Sequence, residues 1–310
     1  MKSVLFAAAA VAAATVAVQA HAQVIADSSG QYAAGIGSNG ELYDAGSGVG
    51  FVRFIDGFDP LSPGTPRDSW SLATSLSVAY ADGQYFGVQG LTTSVVAGAN
   101  TATATSLTDS GFSVTQAYSF VGDGNILRID TTVTNLSDYT QHALFGRDVD
   151  WDVAPTSLSE NTVGPFGTNP FVIDASYLGF EDPSADVPYA FSCSGGCNEL
   201  GDVGAGIKLD LGWFGVGSYS TFTYYYGLSG LGSNLDALVS QGQAAGATYI
   251  LGTQSSEADP YPALGANAAI LGVGNVVHVG AVPEPATWGL MLAGFFGLGA
   301  ALRRRRAAAA

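Results

Sequence analysis

The sequence predicts an all-β fold, a β-sandwich with at most one or two short helices, bracketed by an N-terminal signal peptide and a C-terminal transmembrane helix. Three observations predict it. Glycine supplies 42 of 310 residues, nearly twice the ordinary share of about 7%, and follows no fixed period. Apolar residues alternate at period two in several short runs. Asp-Gly and Gly-Asn pairs, which tolerate the positive φ of tight hairpins, separate those runs.

The elements follow in order. Lys2, the apolar stretch Val4–Val18 and Ala20-His21-Ala22 have the charged start, apolar centre and small-x-small box of a secretory signal. Cleavage is expected after Ala22, with an uncleaved anchor as the other reading. Residues 23–281 are then the exported domain, with no Pro/Ser linker to divide them. After a glycine-rich opening at 32–43, residues 50–55 read as a short strand. Pro60, Pro63-Gly64 and Pro66 make 56–67 a loop. Trp70, Leu72, Leu76, Val78 and Tyr80 share one parity, which predicts a single half-buried strand over 70–80, turned at Asp82-Gly83.

The clearest unit is a hairpin over 112–133. Phe112, Val114, Tyr118 and Phe120 share a face, Gly122-Asp123-Gly124-Asn125 turns the chain, and Leu127, Ile129 and Val133 return. A turn at 135–140 leads to a strand at 142–152. Residues 155–169 read as a long loop, 171–174 as a strand, and 205–216 and 220–226 as further strands. Ser233 or Asn234 caps a short helix through Leu235, Leu238 and Val239, stopped by Gly246. Strands at 249–251 and 268–279 complete the sheet.

The C-terminal segment, 282–310, has three parts. Pro283 and Pro285 hold Glu284 on a stiff extended stalk. Ala286–Leu302 is 17 uncharged residues, the lower limit for a spanning helix. Trp288 suits the headgroup layer, and Arg303, Arg304, Arg305 and Arg306 should stay cytoplasmic. Val282-Pro283-Glu284-Pro285, the short glycine-rich helix and the terminal arginines together resemble the PEP-CTERM family of exported bacterial proteins. The resemblance implies processing by an exosortase, a membrane-embedded cysteine transpeptidase-like enzyme. It also implies a Gram-negative host, often one that makes exopolysaccharide. The expected course is an inner-membrane-anchored precursor, held only transiently by its helix, and then a cell-surface or extracellular product. The body is also similar to uncharacterised members of that family, through Asp148-Val149-Asp150-Trp151-Asp152 with Pro155-Thr156, Tyr225-Tyr226-Gly227 and Gly272-Val273-Gly274.

Charge narrows the partners. Residues 23–281 carry 25 acids against Arg53, Arg67, Arg128, Arg147 and Lys208, a net charge of −20. That excludes nucleic acid, whose affinity depends on cations neutralising phosphates, and docking on anionic lipid. Neutral glycans and divalent cations remain compatible, and the resemblance adds exopolysaccharide as an expected partner.

Cys193 and Cys197 are the only cysteines, and an oxidising destination makes a local disulfide the default over a metal or redox pair. Asp148, Asp150 and Asp152 are the strongest chemical candidates. On a strand they share a face about 6.5–7 Å apart, with Val149 and Trp151 facing the core. Three readings are open: solvated acids partly neutralised by Arg147, a structural calcium site, or catalysis. The segment is not an EF-hand loop, since Val153 replaces the glycine at position 6 and Ser159 the glutamate at position 12. Asp150 with Asp152 or Glu160 meets the carboxylate spacing of a glycoside hydrolase. No Gly-x-Ser-x-Gly, His-Glu-x-x-His or phosphate loop occurs, and His142 and His278 read as structural. Tyr224, Tyr225, Tyr226, Trp213 and Trp151 read either as core or as stacking faces for sugars. The expected function is an exported cell-surface or matrix protein, structural or adhesive, with no catalytic residue and no cofactor beyond that calcium. The alternative is a secreted carbohydrate-binding module or carbohydrate-active enzyme.

Overall fold

Period-two patterning becomes nineteen strands and one helix among the described residues. The computed structural model describes residues 23–63, 66–82, 85–256 and 267–280, with Phe295. The expected signal peptide, the sorting residues Pro283–Pro285 and Arg303–Arg306 and, Phe295 apart, the expected transmembrane helix lie outside the described residues.

In chain order the strands are β1 (Gln23–Ala26), β2 (Tyr32–Ile36), β3 (Phe51–Arg53), β4 (Asp68–Thr74), β5 (Val78–Asp82), β6 (Gly87–Gln89), β7 (Leu91–Ala97), β8 (Thr101–Thr108), β9 (Phe112–Val121) and β10 (Ile126–Asn135). They continue as β11 (Gln141–Asp150), β12 (Glu160–Gly167), β13 (Val172–Ser176), β14 (Cys197–Gly201), β15 (Gly204–Phe214) and β16 (Tyr219–Leu228). The helix α1 (Leu235–Ala245) precedes β17 (Tyr249–Ser255), β18 (Ala268–Val273) and β19 (Val277–Val279).

The strands form antiparallel sheets. One runs β14-β12-β17-β18-β16-β10-β9-β8-β7, with β19 also on β16. A second runs β13-β15-β11-β4-β5-β6, and β1-β2-β3 is a small third. The inner faces of the two large sheets meet, as where Phe145 of β11 packs 5.0 Å from Phe222 of β16. One continuous core runs from Ile25 to Val276 and takes side chains from all three sheets. The helix covers part of the large sheet's outer face, where Leu235, Leu238 and Val239 bury with Ile126, Tyr225, Ile250 and Ile270. Asn234 caps it by accepting from the Ala237 N–H at 3.0 Å, and the Gly246 N–H closes it on Gln243.

The hairpin over 112–133 is present with Val121 opposite Ile126, and Gly122 and Gly124 take the positive φ of its turn. Other expectations need correction. Residues 70–80 are two strands, because Thr74 Oγ1 accepts from the N–H groups of Leu76 and Ser77 and turns the chain. Leu76 therefore sits on a turn at 63% exposure, not on a core face. The expected loop at 155–169 contains β12, which lies inside the large sheet between β14 and β17. Pro165 hid it: a register shift between Val163 and Phe166 accommodates the missing N–H. The expected strand 268–279 divides into β18 and β19.

Candidate functional site

Strand alternation sends Arg147 and Asp148 to opposite faces of β11, and two separate polar sites result. Arg147 points between the sheets and is fully buried. Its Nη2 pairs with Asp68 Oδ2 at 2.7 Å, Nε donates to the Tyr226 hydroxyl at 2.6 Å, and Nη1 donates to Gln116 Oε1 at 2.6 Å. Tyr226 in turn donates to Asp68, which also accepts from the Leu42 N–H at 2.7 Å. Burial alone would lower the Arg147 pKa, but Asp68 overrides it and holds the guanidinium firmly charged. The expectation that Arg147 neutralises the aspartate row is therefore corrected: its partner is Asp68, on the other side of the sheet.

Asp148 lies on the outer face beneath the segment 177–193. Gly206 makes the room, since a Cβ there would overlap the Asp148 carboxylate and lie 2.7 Å from the Tyr189 hydroxyl. Asp148 is fully buried, and neither of its oxygens makes a well-formed hydrogen bond although Tyr189 faces it. Burial pushes its pKa up to about 7, against the pull of Arg67 and Lys208. Those two cations fasten the covering segment. Lys208 Nζ donates to the carbonyls of Ser184 at 3.0 Å and Val187, and sits 3.7 Å over the Tyr189 ring. Arg67 pairs with Asp82 at 2.8 Å and donates to the carbonyls of Gly179 and Glu181, the latter at 2.6 Å. Glu181 Oε1 accepts from Ser176 and from the Phe191 N–H at 3.0 and 2.8 Å. Cys193 and Cys197 are disulfide-bonded, with Cα atoms 5.0 Å apart, where this segment enters β14.

Asp150 and Asp152 lie at the end of β11 among other acids. Burial pushes Asp150 up to about 8, reinforced by the charges of Asp152, Asp202 and Glu160. Asp152 rises to about 6 through burial and Asp202. Glu160 rises to about 7 through burial, with Asp152 adding to it. Glu160 Oε1 accepts from the N–H groups of Val153 and Leu158 at 3.0 and 2.8 Å, while its buried Oε2 has no partner. Asp202 belongs to the turn between β14 and β15, and only folding reveals its nearness. Among the described residues, no three His, Cys, Asp or Glu side chains are placed to hold a metal ion. Asp148, Asp150 and Asp152 thus do not converge as one ligand set. A cation held by two of these carboxylates with loop carbonyls would show as a fall in the Tm of the full-length protein on adding EDTA that Asp150→Asn abolishes; an unchanged Tm, or an equal fall in that variant, would count against a site at this cluster.

The aromatic candidates divide sharply. Tyr224, Tyr226 and Trp151 are core, and Tyr225 is buried under α1. Trp213 is 64% exposed. Beside it, His142 Nε2 meets Asp210 Oδ1 at 2.9 Å, and His278 Nδ1 is 2.7 Å from the Ser220 hydroxyl.

Comparison with known proteins bears on the C-terminus. A family model of the PEP-CTERM protein-sorting motif matches residues 281–306. The chain carries a PEP-CTERM sorting signal. That signal implies an exported protein, anchored at its C-terminus until an exosortase processes it. Pro283, Glu284, Pro285 and all four arginines from Arg303 to Arg306 fall within it. No curated protein matches the chain. Among solved structures, a galactose mutarotase-like protein from Lactobacillus casei ATCC 334 aligns with 84% of this chain and 95% of its own, at 12% identity and a TM-score of 0.38.

Proposed function

We propose that the processed chain is a cell-surface or extracellular-matrix protein that adheres or scaffolds, with exopolysaccharide as its surroundings, and catalyses nothing. The observation that supports this most is where the body's charges go. Arg53, Arg67, Arg147 and Lys208 are each at most 1% exposed and hold the fold to itself. The carboxylates suited to chemistry are equally enclosed: Asp148 and Glu160 are fully buried, and Asp150 and Asp152 are 5% exposed. A general acid or base must reach the atom it serves.

One observation favours a carbohydrate-active enzyme instead. Asp150 and Glu160 hold their protons near neutral pH, as a glycosidase general acid must. A polysaccharide-degradation screen separates the two readings. Turnover that Asp150→Asn abolishes would replace the adhesive one.

Delivery has its own test. Mass spectrometry of the protein recovered from the host's matrix fraction is expected to show a product without 286–302 and without Arg303–Arg306. An intact arginine tail on that product would refute processing.

A further inference from the structure

We infer that the end of the sandwich carrying Trp213 and Tyr139 binds a neutral glycan chain, laid across the two rings with its hydroxyls donating to carboxylates. The inference rests on the adhesive reading above and names its ligand class. Three turns meet there. Leu76 and Ser77 from β4–β5, Asp109, Ser110 and Gly111 from β8–β9, and Ser137, Asp138 and Tyr139 from β10–β11 line a groove of about 350 Å³. His142, on the strand beside this groove, lies opposite Trp213 in register, with the two rings 5.3 Å apart.

Exposure at this end is built into the fold. Tyr139 is 67% exposed, Trp213 64% and Leu76 63%. Leu76 and Tyr139 line one groove together, and a shared apolar patch of that kind, unlike a lone exposed side chain, marks an interaction surface. The scaffold here is fixed by one buried amide. Asn135 is fully buried. Its Nδ2 donates to the carbonyls of Tyr139 at 2.7 Å, Phe214 at 3.1 Å and Gly215 at 3.3 Å. Its Oδ1 accepts from the N–H and hydroxyl of Ser137 at 2.9 and 2.7 Å. The turn bearing Tyr139 and the strand end bearing Trp213 are therefore tied to the same side chain. Gln141 Nε2 adds a second tie, donating to the Ser110 carbonyl at 3.0 Å and the Ser137 hydroxyl at 2.9 Å. Ordering of these turns precedes binding, which lowers the entropy that binding must overcome.

Charge selects the occupant. Asp109 and Asp138 are exposed, and neither has a side-chain partner among the described residues. Asp210 is half-exposed beside His142. Among the described Lys and Arg side chains only Arg128 reaches solvent, and it pairs with Asp130 on β10. The groove thus offers acceptors and apolar faces and no fixed cation. Phosphate, sulfate and uronate ligands would be repelled. A neutral sugar presents hydroxyl donors at its edge and C–H groups on its face, which match carboxylates and rings respectively.

The test uses full-length protein in detergent, with cellohexaose, laminarihexaose and dextran oligosaccharides as neutral probes, hyaluronan as the anionic probe and poly-lysine as the cationic one. Trp70 and Trp151 are buried, so Trp213 dominates quenching by acrylamide among the described tryptophans. At least one neutral probe should protect against quenching, with the effect absent in Trp213→Phe. Trp213→Ala and Tyr139→Ala should each weaken binding by about tenfold, while hyaluronan does not bind. Both side chains are exposed, so both variants should keep the wild-type Tm. Undiminished affinity in Trp213→Ala, binding of poly-lysine alone, or binding of none of the neutral probes would overturn the inference. If the neutral probes fail while the protein still fractionates with the matrix, the site falls and the matrix reading stands.

Discussion

Arg147→Ala is expected to destabilise the protein by about 3–5 kcal/mol, the cost of stranding a buried charge, and to lower the Tm by roughly 10 °C. The guanidinium occupies a fully buried position between the two large sheets. It meets Asp68 from β4, Gln116 from β9, Tyr226 from β16 and, at 3.3 Å, the Gly40 carbonyl. Removing it leaves the Asp68 carboxylate facing a low-dielectric interior with only Tyr226 and the Leu42 N–H as donors. Asp68→Ala strands Arg147 in the same way, so the double variant should cost clearly less than the two single losses combined. Arg128→Ala is the control: its pair with Asp130 is surface-exposed, with side chains at 42% and 43%. Such a pair contributes at most about 1 kcal/mol. Urea denaturation of the four variants measures all these differences. An Arg147→Ala loss no larger than that of Arg128→Ala would mean that the network does not hold the sheets together.

How far the sequence discloses this arrangement depends on whether a feature is local. The hairpin at 112–133, the helix after Asn234 and the strand at 142–152 are written in periodicity and turn residues that lie side by side. The strand β8 is not, because its inward positions include Ala102, Ala104 and Ser106, too small for an apolar signal. The strand β12 is masked by Pro165. Asp148, Asp150 and Asp152 are visible as a row, and alternation correctly places Val149 on the core face. What alternation cannot supply is the cover: the segment 177–193 that buries Asp148, the Asp202 turn that crowds Asp150, and the assignment of Arg67 rather than Arg147 to that face. The Tyr224–Tyr226 run stays open between core and sugar platform for the same reason, since a strand covered on both faces reads much like one covered on one. Trp213 is exposed because it lies one residue beyond the irregularity at Gly212, near the free end of β15.

The buried acids give stability an unusual pH dependence. Asp148 rises from an ordinary 3.8 to about 7, Asp150 to about 8, and Glu160 from 4.5 to about 7. Burial is the first cause in each case. Between the unfolded and folded pKa values the folded chain binds more protons than the unfolded one, so stability falls as pH rises through that window. These groups therefore favour folding fully below about pH 4, and that contribution is lost progressively toward pH 7–8. Asp27 and Asp56 act oppositely: their pKa values are lowered, against the effect of burial, by hydrogen bonds from Ser29 and Arg53 respectively, and their contribution is lost as pH falls below 3.8. The Tm should accordingly peak near pH 4–5 and decline toward pH 8. For Asp148 the gap from 3.8 to about 7 corresponds to on the order of 4 kcal/mol at pH 8. Asp148→Asn, which keeps the shape and removes the charge, should therefore raise the Tm at pH 8, leave it nearly unchanged at pH 4, and flatten the profile between. Asp150→Asn should do the same with the decline extended to about pH 8. A wild-type Tm that rises from pH 4 to pH 8, or an Asp148→Asn variant less stable than wild type at pH 8, would show instead that Lys208 and Arg67 hold Asp148 ionised and that the covering segment depends on its charge.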